Sequence, residues 1–202
     1  MSSKFSVLHE LEHASWATLA AIYGNAHPSI IGLLTKWWVD RDPGVNWVLD
    51  GAPSFAAGNR GRADAVFLDA SGPAGVLEVE GSYYKETARK IGQYLSSPRK
   101  ELRGIWFGIL VLYTYVAEGQ GPHRRFPEVE DPSVLAIAAG LTAKRRGVEI
   151  VVVTVDKRFE HGLSGIRATR DYYKGALSRV RGISFVDGSG KERAIYFREA
   201  GV

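Results

Sequence analysis

Cysteine is absent from all 202 residues. That excludes disulfides, thiolate metal sites and a cysteine nucleophile, and it is the usage expected in a reducing compartment. The chain also lacks any apolar run long enough to cross a membrane. Its opening residues, MSSKFSVLHELEH, have no long apolar core of the secretory kind. The expectation is a soluble cytoplasmic protein with no membrane partner. Glycine is present, but no glycine-rich phosphate loop: GPAG and GSG have neither the spacing nor the following lysine. A Gly-x-Ser-x-Gly elbow is missing too, as are internal repeats, low-complexity tracts and any linker long enough to divide domains.

What remains is an ordinary globular balance, 45% hydrophobic and 24% charged, and a length suited to one substantial domain over residues 1–202. The formal net charge of +4 is unevenly placed. Between Lys157 and Gly182 seven basic residues face only Glu160 and Asp171. A basic stretch of this kind suits an anionic partner, nucleic acid above all, although a solvated charged face explains the charge alone as well.

Periodicity orders the elements. Phe5 to Tyr23 reads as a helix with Leu8, Leu11, Glu12, Ser15, Leu19 and Ile22 on one face. A second helix starts at Pro28, with Ile30, Ile31, Leu34, Trp37 and Trp38 as its apolar face. VNWVLD is a short strand. RADAVFLD and GVLEVEG form an antiparallel hairpin about the turn ASGPAG, and a helix follows from about Tyr83 to Ser96. Its inner face is Tyr84, Ala88, Ile91 and Leu95; Arg89, Lys90 and Gln93 point outward. IWFGILVLYTYV and VEIVVVTV are strands buried on both faces. Between them DPSVLAIAAGLTAKRRG is a helix capped by Asp131, opened by Pro132 and stopped at Gly147. The core spans about residues 5–155. Residues 156–202 add a short basic helix, RDYYKGALSRVRG, and a closing hairpin around Asp187 to Gly190. The expected architecture is α/β: a central mixed sheet flanked by helices in three layers, antiparallel first and parallel after.

Three acids stand out. Asp64 opens one hairpin strand, while Glu78 and Glu80 close the next, on one side of it. Antiparallel pairing brings the start of one strand beside the end of the other, so the three converge. Clustered carboxylates repel unless a cation sits among them, and hard oxygen ligands suit Mg²⁺ or Mn²⁺. Such a site supports hydrolysis of phosphodiesters. The competing reading leaves Glu80 solvated at the strand end and Glu78 paired with an arginine such as Arg62.

GRADAVFLD…GVLEVEG followed by a helix resembles the core of the PD-(D/E)XK nuclease superfamily, the restriction-endonuclease-like fold. The resemblance covers roughly Phe5 to Val116. It implies Asp64 and Glu78 as metal ligands, Mg²⁺ or Mn²⁺ as cofactor and nucleic acid, with DNA the expected polymer, as substrate. The sequence departs from the family twice: Ala63 stands where proline usually precedes the first acid, and Glu80 stands in the catalytic lysine's place. Some members keep activity with Glu in that slot, which makes Glu80 a general base or metal-side acid. Others move the lysine onto the next helix, where Lys85 is the choice, and a third outcome is a degenerate site that binds without cutting. The family's helical glutamate at the metal corresponds to Glu12. Cutting both strands of a duplex calls for a homodimer.

Two further signals are weaker. HELEH, His9 to His13, matches a zinc-peptidase pattern, but Ala14 to Val39 contains no acid to serve as third ligand. Arg124 and Arg125 in the long connector Ala117 to Asp131, and Arg167, Arg170 and Lys174 in the tail, are candidate contacts to a phosphate backbone.

Overall fold

The computed structural model describes residues 6–12, 14, 16, 26–50, 62–81, 84–97, 100–117, 132–143, 147–159 and 178–196. Among these residues four α-helices, α1 (Val7–Glu12), α2 (Ala26–Arg41), α3 (Tyr84–Ser96) and α4 (Pro132–Ala143), accompany seven strands. The strands are β1 (Trp47–Asp50), β2 (Ala65–Asp69), β3 (Gly72–Glu80), β4 (Phe107–Ala117), β5 (Glu149–Phe159), β6 (Ser178–Asp187) and β7 (Glu192–Tyr196). All seven form one sheet in chain order. β1, β2 and β3 pair antiparallel, β3, β4 and β5 parallel, and β5, β6 and β7 antiparallel again. The two parallel steps are those bridged by α3 and α4, because a parallel neighbour can be reached only by a long crossover.

Alternation along the strands divides the core. Phe67, Leu77, Val79, Phe107, Ile109, Val111, Val153 and Phe185 pack on one face against α1 and α2 through Leu11, Ile30, Leu34 and Trp38. Val66, Val76, Leu110, Leu112, Val152 and Val186 pack on the other against α3 and α4 through Ala88, Ile91, Tyr94, Leu95, Leu135 and Ala139. The result is an α/β three-layer arrangement around a mixed sheet. The first face is aromatic. Trp38 lies 5.4 Å from Phe107 and 5.5 Å from Phe67, and its Nε1 donates to the Leu68 carbonyl at 2.7 Å. Gly75 permits the Phe107 ring to lie on β3, since a Cβ there would stand 2.1 Å from it. Among the described residues no helix is long and apolar enough to cross a membrane.

Several expectations are corrected. Of the first helix, Val7–Glu12 is helical, Ala14 is in a bend and Trp16 in a short 3₁₀ turn, while residues 13, 15 and 17–23 lie outside the described residues. The Leu11 carbonyl there accepts both the Ala14 amide at 3.1 Å and the buried Trp16 indole Nε1 at 2.7 Å. The second helix begins two residues before Pro28. The turn ASGPAG shrinks to Ala70 and Ser71, with Asp69 accepting from the Ser71 amide at 2.7 Å and Gly72 at a φ of 111°. The basic helix RDYYKGALSRVRG is overturned over its last third: Ser178 to Gly182 is strand, paired with β5. Arg179, Val180 and Arg181 alternate with period two, and Gly182 lies beside the register shift at Asp156/Lys157 instead of ending a helix. Residues 170–177 lie outside the described residues. The closing hairpin forms as expected, with Asp187 Oδ1 accepting from the Ser189 amide at 2.9 Å and Gly190 at a φ of 83°.

Candidate active site

The acids sit where β2 begins and β3 ends. β2 pairs with β3 from Ala65 opposite Leu77, so Asp64 is carried beside the last residues of β3. Its Oδ2 accepts the Val79 amide at 2.7 Å, a side chain doing what the next backbone carbonyl of a longer strand would do. Glu78 shares its side of β3 with Val76, the face that α3 covers, and it is only 3% exposed. Glu80, two residues on, is partly buried, and its Oε1 accepts the Gly81 amide at 2.8 Å. Gly81 passes under the Tyr113 ring, which a Cβ would meet at 2.9 Å.

Two basic side chains complete the cluster. Lys90 of α3 reaches in so that its Nζ lies 2.7 Å from Glu78 Oε1 and donates to Oε2 at 2.8 Å. His27, in the first turn of α2, places Nε2 3.4 Å from Asp64 Oδ2. Burial pushes the Glu78 carboxyl up to about 8; Lys90 opposes this, and the neighbouring charges of Asp64 and Glu80 add to it. The His27 imidazole is held above its usual value, chiefly by the hydrogen bond to Asp64 and against the cost of burial, with Glu80 and Glu78 assisting.

The expected outward direction of Lys90 is therefore wrong. Lys85 lies exposed in the first turn of α3, whereas the ammonium on Glu78 belongs to Lys90. The reason lies in the packing of α3. Thr87 and Tyr94, three residues before Lys90 and four after, are both buried, so the inner face of α3 is wider than its aliphatic stripe. For His27 too the sequence held no signal: a lone histidine before Pro28 gives no hint of a carboxylate from a distant hairpin. Glu12 is 3.7 Å from His9 of its own helix. His9 is largely exposed, and His13, Arg124, Arg125, Arg167, Arg170 and Lys174 lie outside the described residues.

A hard divalent cation suits this donor set. Glu78 Oε1 is buried with Lys90 Nζ 2.7 Å away, and Lys90 donates to Oε2 at 2.8 Å. Asp64 commits Oδ2 alone to the described contacts. Among the described residues no three His, Asp or Glu side chains group closely enough to enclose an ion. Two carboxylates supplemented by water are the ligand set Mg²⁺ ordinarily takes.

The fold and the site together define an α/β protein with a mixed sheet and a buried acid–lysine pair at the end of a central strand. Comparison of the chain with protein-family models, with characterised proteins and with solved structures finds no match.

Proposed function

We propose that the chain is a metal-dependent nuclease of the PD-(D/E)XK kind, hydrolysing phosphodiester bonds, with DNA as the expected substrate. The observation that carries the reading is Lys90: a lysine from the helix after β3 lies on Glu78, beside Asp64, in a chain whose strand end has glutamate where that superfamily has lysine. The order of a three-stranded antiparallel unit, a helix and a parallel strand supports the restriction-endonuclease-like assignment.

In this reading Asp64 and Glu78 hold Mg²⁺ or Mn²⁺, with Glu80 and water at its margin. The ion, when bound, supplies a Lewis acid and a more acidic water. Lys90 sets its positive charge where negative charge grows on the phosphate in the transition state. Glu80, the more exposed of the two β3 acids, is placed to accept the proton of the attacking water. His27 orients Asp64 through Oδ2.

The test is incubation of the purified protein with Mg²⁺ or Mn²⁺ and single- and double-stranded DNA and RNA. Cleavage that disappears with EDTA and in the double variant Asp64→Ala/Glu78→Ala is the expected result; cleavage that survives the double variant overturns the assignment. One observation favours a second reading, a nucleic-acid-binding module that has lost catalysis: the Lys90 ammonium already lies 2.7 Å from Glu78, so the carboxylates have a resident cation. Steeply salt-dependent DNA binding with no metal uptake and no cleavage would select it.

A further inference from the structure

We infer that Tyr94 is a positioning residue of this site, fixing the backbone that presents Asp64. The inference rests on the proposed reading of the carboxylates, and the observations behind it are separate from those that carry that reading.

Ala63 is 1% exposed and precedes the first paired residue of β2, so its amide has no ladder partner. A buried N–H left unpaired is costly, and the chain would relieve the cost by shifting. The Ala63 amide instead donates to Tyr94 Oη at 2.9 Å. Tyr94 is fully buried among Ala88, Ile91 and Leu95 of α3 and the strand residues beneath them, so its ring cannot swing aside to follow a moving backbone. Asp64 is thereby held at two points: the preceding amide is tied to α3, and its own Oδ2 is tied to the Val79 amide of β3.

Tyr94 also follows Lys90 by four residues, one helical turn on the same face. One face of α3 thus holds Glu78 through Lys90 and the Asp64 backbone through Tyr94. The separation of the two carboxylates is set by a rigid helix instead of by the loop before β2. Tyr94 touches neither substrate nor metal in this scheme and acts only through where Asp64 stands. Ligand groups displaced by a fraction of an ångström lose affinity and rate without loss of fold.

Tyr94→Phe tests this, because it deletes the oxygen and keeps the ring. Ile91→Val serves as the control for a general loosening of α3: it is buried on the same helix and carries no polar atom. Three quantities are read: Mn²⁺ affinity by titration calorimetry without nucleic acid, kcat and KM for cleavage, and Tm by circular dichroism. For Tyr94→Phe we expect Mn²⁺ affinity to fall about 10-fold and kcat about 10- to 100-fold, with KM unchanged, at temperatures where the variant is fully folded. Ile91→Val lowers Tm and leaves affinity and kcat as they are. Wild-type binding and cleavage with an unaltered Tyr94→Phe apart from Tm overturn this inference alone. A wild-type protein that takes up no Mn²⁺ and cuts nothing overturns the reading of the site, and this inference falls with it.

Discussion

Glu78 carries an ordinary carboxylate under a helix, and the consequences are electrostatic. Its proton is held up to about 8 because burial disfavours the anion more than Lys90 favours it. A carboxyl whose folded pKa is raised contributes stability that is full below its unfolded value, about 4.5, and is lost as pH rises through the folded value. Glu78→Gln mimics the neutral form. Measured in EDTA, its Tm should match the wild type near pH 5 and exceed it at pH 9. Metal binding needs the anion, so cleavage should rise with pH up to about 8, and the rising limb should move to lower pH as Mg²⁺ is increased; a limb indifferent to Mg²⁺ would remove Glu78 from the metal. At the same scale, Lys90→Ala should lower kcat by ~10²-fold, the usual effect of removing one preorganised charge, while Lys85→Ala changes it little. Steady-state rates of the two variants decide which lysine the site uses. Asp64, Glu78 and Glu80 were legible as a group because strand period and hairpin pairing are local rules. The lysine was not, since the wider buried face of α3 depends on what packs over it.

Among the elements, α3 governs the site, and its seat on the sheet is narrow. Gly108 of β4 faces it, and a Cβ there would stand 2.8 Å from Ile91 Cγ2 and 3.2 Å from Leu95 Cδ1. Gly108→Ala should lift the helix and destabilise the fold by about 1–3 kcal/mol, the usual cost of an overpacked core. It should weaken Mn²⁺ binding as well, because Lys90 and Tyr94 move with the helix. Urea unfolding alongside calorimetry checks both. Element identity was mostly readable: β1 to β5 and α2 to α4 fall within a few residues of their expected places. The failures have tertiary causes. Past Glu12 the chain seats the buried Trp16 against Phe185 of β6, and the run from Ser178 becomes strand because β5 is long enough to pair with it.

Over the whole molecule, the sheet is protected from its middle outward. β4 is paired on both sides and buried on both faces from Phe107 to Leu112, whereas β1 and β7 are the edges. Amide exchange should therefore be slowest at Ile109 to Val111, opening only with global unfolding, and fastest along β1. Comparable exchange in β1 and β4 would mean that the sheet opens as one unit, with no fraying from its edge. Trp38 joins the aromatic face to this centre, and Trp38→Ala should cost ~3–5 kcal/mol by leaving a large cavity between α2 and the sheet. Denaturant titration measures it directly.

The sequence by itself determined the class of the fold and the acid set. Apolar periodicities separate strands from helices, the alternation of RADAVFLD and GVLEVEG builds a hairpin, and hairpin geometry gathers Asp64 with Glu78 and Glu80. Only the tertiary structure decided which basic side chains meet those acids. His27 and Lys90 come from helices on opposite faces of the sheet, and their proximity arises from packing over a shared strand end. Local pattern has no access to that, because the direction of a long side chain on a helix is set by the neighbour it finds there.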